Sequence, residues 1–175
     1  MAPDALSYDF QWRQHVTARW PTGTQSFDAV LLKRGGELTM VGLSPLGLPG
    51  FVLRLDAGGQ LHVENRTGKP LPFEAAYVVA DVQRVFFPWL AQPAPGWSGE
   101  QKGQRAEQTI AERYEAGRLS ERRFERDTAQ GREQVVIRYP GFKASAEQPA
   151  PPRAELENPL LRYGLVIETL EQEHL

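Results

Sequence analysis

With 175 residues the chain has room for one domain with a sizeable core, and its 41% apolar and 24% charged residues are ordinary for a globular protein. The net charge is -2, with eight basic and eight acidic side chains in residues 1–90 and twelve and fourteen in residues 91–175, so no basic stripe exists to neutralise phosphates and nucleic acid is not an expected partner. Cysteine is absent, which excludes disulfides and thiolate chemistry; His15, His62 and His174 lie far apart, and neither metal nor cofactor is expected.

No run approaches the roughly 20 apolar residues of a membrane-spanning helix. The start, Met1-Ala2-Pro3-Asp4, has no signal-peptide character. Residues 10–20 alternate, with Phe10, Trp12, Val16, Ala18 and Trp20 on one parity and Gln11, Arg13, His15, Thr17 and Arg19 on the other. Side chains of an extended chain point to opposite faces in turn, so this predicts a half-buried strand. Pro21-Thr22-Gly23 makes a turn. A second strand follows over 25–34, with Phe27, Ala29 and Leu31 on one side and Val30 and Leu32 on the other. Gly35-Gly36 is a hairpin signal, followed by strands over 37–43 and 51–56, and Gly58-Gly59 closes another hairpin into 60–65.

Between the third and fourth strands lies Leu43-Ser44-Pro45-Leu46-Gly47-Leu48-Pro49-Gly50-Phe51. Pro and Gly mark a turn, yet no charge occurs from Val41 to Leu53. An apolar loop tip is either folded back into a core or offered to something apolar outside.

The period changes after Pro70-Leu71-Pro72. Val78, Val82, Val85, Phe86 and Trp89 recur at helical spacing, with Asp81 and Arg84 off that face, and Pro88 ends or kinks the helix. The segment 73–90 is therefore expected to be a helix, either packed on a sheet or acting as a lid over a cavity. Residues 92–103 read as a loop with Trp97 pinned, and strands resume over 106–115, 118–127 and 133–139. The Arg/Glu-dense stretch from Glu112 to Asp127 fits cross-strand charge pairs on a solvated face better than a binding surface. Residues 141–153 read as a second connection. The chain closes with Leu156 and the alternating Leu161, Tyr163, Leu165 and Ile167, then a charged tail.

Together these elements predict a single domain over 1–175, mainly β (α+β), with roughly nine to eleven antiparallel strands curled into a half-barrel because curling buries one face. The helical insert would cover its concave face. Catalytic signals are lacking. There is no G-x-S-x-G elbow, Ser44 looks like turn chemistry, and the paired glycines lack the strand-to-helix context of a phosphate loop. Asp81, beside the aromatic cluster, is the one acid to check for a raised pKa. No enzyme is expected.

Several stretches resemble a known pattern: Gln25–Leu32, Leu38–Leu43, the Ser44-Pro45-Leu46-Gly47 turn, Val79-Ala80-Asp81-Val82-Gln83 running to Phe87-Pro88-Trp89, Val135–Tyr139 and Tyr163–Leu170. Over about residues 10–170 the chain resembles the LolA/LolB-like fold of periplasmic lipoprotein carriers and outer-membrane receptors. More closely it is similar to uncharacterised bacterial outer-membrane lipoproteins often encoded with aryl-polyene pigment genes. The resemblance implies a half-barrel that binds or transfers a lipid, a lipoprotein acyl chain or a hydrophobic polyene-lipid. It also implies a lipid anchor at the periplasmic face of the outer membrane, through a cysteine that this sequence does not contain. Its partners would be a lipid or acylated protein, a membrane surface and a periplasmic carrier protein. In the receptor LolB the equivalent turn protrudes with an exposed leucine that touches the membrane; by position that role falls on Leu46, with Leu48 as this sequence's own addition. The hydrophobic cavity is expected to use Trp12, Val16, Phe27, Leu31, Met40, Leu53, Phe86, Trp89 and Ile137. Two rivals remain open, a non-catalytic scaffold lipoprotein for a pigment pathway and a hydrolase or isomerase acting on a hydrophobic substrate.

Overall fold

The computed structural model describes residues 3–105, 107–142 and 149–175. After a short 3-10 turn at Pro3–Ala5 come β1 (Phe10–Trp20), β2 (Gly23–Arg34), β3 (Glu37–Leu43), β4 (Pro49–Leu55) and β5 (Leu61–Asn65), then the one α-helix among the described residues, α1 (Ala75–Phe86). The second half contains β6 (Gly99–Arg105), β7 (Gln108–Glu115), β8 (Arg118–Thr128), β9 (Gly131–Arg138), β10 (Arg153–Asn158) and β11 (Tyr163–His174). The eleven strands form one antiparallel sheet in the order β5-β4-β3-β2-β1-β11-β10-β9-β8-β7-β6, with β5 and β6 at its edges and no closure into a barrel.

The mainly antiparallel fold with one helix is the one expected. Two readings need correction. The stretch 92–103 is not all loop, because Gly99 onward is extended and pairs with β7 as β6. The charged tail is the second half of β11, tied down by Leu175 N–H donating to the Asp9 carbonyl at 3.1 Å and by Arg13 reaching Glu171 at 3.3 Å. β6 has no apolar side chain and the second half of β11 has only Leu170, so no apolar alternation betrays either stretch. Of the connection expected over 141–153, residues 143–148 lie outside the described residues.

The chain divides into two compact units: Met1–Val16, Ser26–Pro88 and Thr169–Leu175 form the first, and Thr17–Gln25 with Trp89–Glu168 the second. In the first unit, strand parity decides what is buried. Phe10, Trp12, Gln14 and Val16 point inward from β1, Ala29, Leu31 and Lys33 from β2, Leu38 and Met40 from β3, and Phe51, Leu53 and Leu55 from β4. Leu31, Met40 and Leu53 are direct cross-strand partners and form one apolar row. Helix α1 packs on this face: Phe86 meets Trp12 with ring centroids 5.3 Å apart, and Phe73, just before α1, meets Phe51 edge-on at 5.1 Å. The helix ends where it does because Pro88 disfavours helical backbone at Phe87, which is extended at φ -85°, ψ 151°.

The helical spacing puts Asp81 and Arg84 off the packed face of the helix. Both are buried, joined by a hydrogen-bonded ion pair from Arg84 Nη1 to Asp81 Oδ1 at 3.0 Å. Lys33 is buried in the same unit and donates to Asp9 Oδ1 at 2.9 Å, an oxygen that also accepts the Gly35 N–H. With these partners the Asp9 carboxyl titrates below the usual aspartate range, the Lys33 hydrogen bond contributing most.

In the second unit, Ile110, Phe124 and Val135 form a cross-strand row across β7, β8 and β9, and Ile137, Leu156 and Leu165 form another across β9, β10 and β11. Arg153 links Glu155 and Glu168 at 2.8 and 2.9 Å, and Arg138 reaches Glu157 at 3.3 Å.

Packing around Gly42 is close. Gly42 pairs with Phe51 across β3 and β4, and the Phe51 ring occupies the space a Cβ at residue 42 would take. Gly42→Ala is expected to cost about 1–3 kcal/mol through forced displacement of that ring. Urea unfolding of the full chain, compared with Gly23→Ala as a control at an exposed glycine without positive φ, measures it.

Candidate functional site

The β3–β4 connection is a built structure. The Gly47 N–H donates to the Ser44 carbonyl and the Ser44 N–H to the Leu48 carbonyl, both at 2.8 Å. The Ser44 hydroxyl adds an acceptor for the Leu48 N–H at 3.3 Å. Gly47 has φ +73°, which a side chain would strain, and Pro45 presets the turn. This is a three-residue hairpin loop in which a tight turn is followed by a left-handed glycine. It places Leu46 at the apex. Leu46 is 84% exposed and Leu48 61% exposed, and the apolar tip is not folded back onto the body of its unit.

The nine residues expected to line a cavity fall in two groups. Trp12, Val16, Leu31, Met40 and Leu53 are buried on the inner face of the first unit, with half-buried Phe27 and Phe86 at its margins. Phe27 meets Phe51 edge-on at 5.7 Å. Trp89 and Ile137 belong to the second unit, where Trp89 stands edge-on to Phe124 at 4.8 Å and Ile137 is fully buried in the row with Leu156. Phe10, Gln14, Phe51, Phe73 and Val79 were missed on the face carrying the first group. Parity was enough to find Phe10, Gln14 and Phe51; Gln14 sits between Trp12 and Val16 and was passed over because it is polar.

Buried charge in the second unit overturns the reading of Glu112–Asp127 as wholly solvated. Glu112 and Arg122 are directly opposite on β7 and β8, both buried, with Arg122 Nε donating to Glu112 Oε1 at 2.7 Å. Glu112 Oε2 accepts from the Tyr114 hydroxyl at 2.9 Å and from Gln101 at 3.2 Å. The Arg122 guanidinium lies 5.8 Å from the Tyr139 ring centre. Burial raises the Tyr139 hydroxyl to about 12, and burial together with the Glu112 charge raises that of Tyr114 further. Nearby, Glu133 is buried with Asn158 donating to it at 2.8 Å and Arg126 bonded to its second oxygen. The other parity is as expected: Arg123–Glu121 and Arg132–Glu125 pair on the wetter face. Both carboxylate oxygens of Glu112 are occupied, so the arrangement is suited to locking strands rather than to proton transfer.

The histidines are dispersed. His15 Nδ1 lies 2.8 Å from Asp28, His62 Nε2 2.9 Å from Asp56, and the His174 ring packs near Tyr8 with centroids 5.4 Å apart. Among the described residues no group of three metal-type ligands is present. A surface groove of about 460 Å³ follows β10 and β11, lined by Arg19, Trp20, Arg153, Asn158 and Arg162 among others, and none of the nine expected residues borders it. No described helix is long and apolar enough to cross a membrane.

Removing one partner of the buried Glu112–Arg122 pair is expected to be severe. Glu112→Gln should lower stability by about 3–5 kcal/mol, whereas the double change Glu112→Leu with Arg122→Met should recover most of the loss. Chemical denaturation of the three proteins compares these values.

The family described as "Protein of unknown function (DUF3261)" matches residues 11–171. No curated protein matches the chain. Among solved structures, a LolA superfamily protein from Nitrosomonas europaea aligns with TM-score 0.54 at 13% identity, covering 95% of this chain and 86% of that one. An outer-membrane lipoprotein-sorting protein domain from Vibrio parahaemolyticus aligns with TM-score 0.50 at 8% identity, over 95% and 85% of the two chains. At such identities these similarities establish the fold, and they bear out the resemblance to the LolA/LolB-like pattern read from the sequence.

Proposed function

The chain belongs to the DUF3261 family, and from that premise we propose that it is a non-catalytic, carrier-like module that binds a lipid or the acyl chain of a lipoprotein at the periplasmic face of an outer membrane. The observation that carries the reading is Leu46, held 84% exposed at the apex of a hydrogen-bonded hairpin loop, with Leu48 beside it. A soluble surface gains nothing from an apolar tip kept out of the core by Pro45, Gly47 and two backbone hydrogen bonds. A bilayer does. Transfer of one leucine side chain from water is worth about 1.5–3 kcal/mol, so two give contact that is weak and reversible. A carrier requires that reversibility.

The fold supports the same reading, since one of its relatives is described as a lipoprotein-sorting domain. The inner face of the first unit supplies apolar surface suited to an acyl chain through Trp12, Val16, Leu31, Met40 and Leu53, bordered by Phe27 and Phe86. Trp89 and Ile137 belong to the second unit and pack within its own core. Each buried methylene of a chain contributes about 0.8 kcal/mol without polar specificity, so a lipid, an acylated protein and a polyene-lipid are all chemically admissible cargoes. A periplasmic carrier protein is the natural partner for exchange. The scaffold alternative draws on a different observation, the near-complete burial of Leu31 and Leu53 within the first unit.

Leu46→Glu is expected to leave the thermal midpoint unchanged while weakening co-sedimentation with phospholipid vesicles about tenfold. If the variant sediments as the parent protein does, the membrane-contact role of the loop is lost.

A further inference from the structure

The inner face of β1 reads Phe10, Trp12, Gln14, Val16, and two of these four carry N–H donors. Trp12 is 1% exposed and Gln14 2% exposed, and neither Trp12 Nε1 nor Gln14 Nε2 has an acceptor among the described residues. Buried donors are nearly always paired, because leaving one unmade forfeits its bond to water. Two unmade donors at successive inward positions of one strand are therefore unusual. Same-face positions on a strand are about 7 Å apart, so the two residues are neighbours on the inner face.

The indole is held in place. Phe10 stacks on Trp12 with centroids 3.7 Å apart, and Phe86 meets the indole at a tilt with centroids 5.3 Å apart. Folding alone does not account for Gln14: a methionine of similar volume would fill this inward position between Trp12 and Val16 without a buried amide. The carboxylate buried in this unit, Asp81, accepts from Arg84 and from neither of these donors.

We propose that Trp12 and Gln14 form the polar end of an acyl-binding site on the inner face of the first unit, donating to the carbonyl oxygens of a neutral fatty ester or amide. This rests on the carrier reading and narrows it. The donors are uncharged, and a buried carboxylate needs a paired charge. The site therefore prefers an esterified or amide-linked chain, as in a glycerolipid or an acylated protein, to a free fatty acid. The carbonyl of a bound chain supplies the acceptor that neither donor has among the described residues.

The test uses the full chain, its Gln14→Met and Trp12→Phe variants, and displacement of the apolar fluorophore N-phenyl-1-naphthylamine by methyl laurate, dodecane and laurate. The parent protein is expected to bind methyl laurate about tenfold more tightly than dodecane, the value of one good hydrogen bond, with laurate weaker than the ester. Gln14→Met should erase most of that preference, leave dodecane unchanged and raise the thermal midpoint, because an unpaired buried amide has been removed. Trp12→Phe should reduce the preference in the same direction. If Gln14→Met keeps the ester preference, or lowers the midpoint, the donor site is refuted while the carrier reading stands. If none of the three ligands displaces the fluorophore from the parent protein, the carrier reading itself fails and takes the site with it.

Discussion

Extended chain has a period of two, and in this protein nearly every structural feature follows from what that period places on the inner face of each strand. Phe10, Trp12, Gln14 and Val16 are buried together because they share a parity, as are Ile110, Glu112 and Tyr114. A slip of one residue in the β3–β4 register would turn Leu38, Met40, Leu53 and Leu55 to water and bring Thr39, Val41, Val52 and Arg54 inside. The ring of Phe51 over Gly42 ties that register to a position where only a glycine leaves room. The alternation is indifferent to polarity, and so it buries Glu112, Arg122 and Glu133 as firmly as it buries Phe124. Each of those charges is then satisfied by a partner from a neighbouring strand or position.

The same rule explains what was legible beforehand. Strands β1 to β5 were readable because apolar side chains alternate between glycine and proline turns, and the helix because Val82, Val85 and Phe86 break the alternation. Pro88 marked its end. Where polar residues occupy inward positions the reading failed, at Gln14, Asp81, Arg84, Glu112 and Arg122, since hydropathy assigns such residues to solvent and only their parity or their partner contradicts it. Strand β6, Gly-Glu-Gln-Lys-Gly-Gln-Arg, has no apolar residue and exists because β7 offers it hydrogen bonds. No local pattern announces a strand of that kind. Of the candidate site, Leu46 and Leu48 could be named from sequence, but their exposure could not, because a tucked and a protruding apolar turn have the same composition.

Exposure of the loop and closure of the interior put opposite demands on one unit. The hairpin tip keeps Leu46 in water, where it contributes nothing to folding, while the inner face a few residues away is packed with Leu53 and Met40. Binding proteins commonly depart from maximal stability at the places where a ligand must later be accommodated. The apolar apex and the unpaired donors of β1 are two such departures.

The edges of the open sheet have a consequence of their own. A strand with free N–H and C=O groups along one side is a template on which other chains can grow, and an unclosed sheet has two such sides. Here one is β5, only five residues long and carrying His62 and Glu64, and the other is β6, carrying Glu100, Lys102 and Arg105. Brevity on one margin and charge on the other discourage a second copy from zipping on. The composition that hides β6 from pattern reading is thus also what makes that edge a poor template for a second chain.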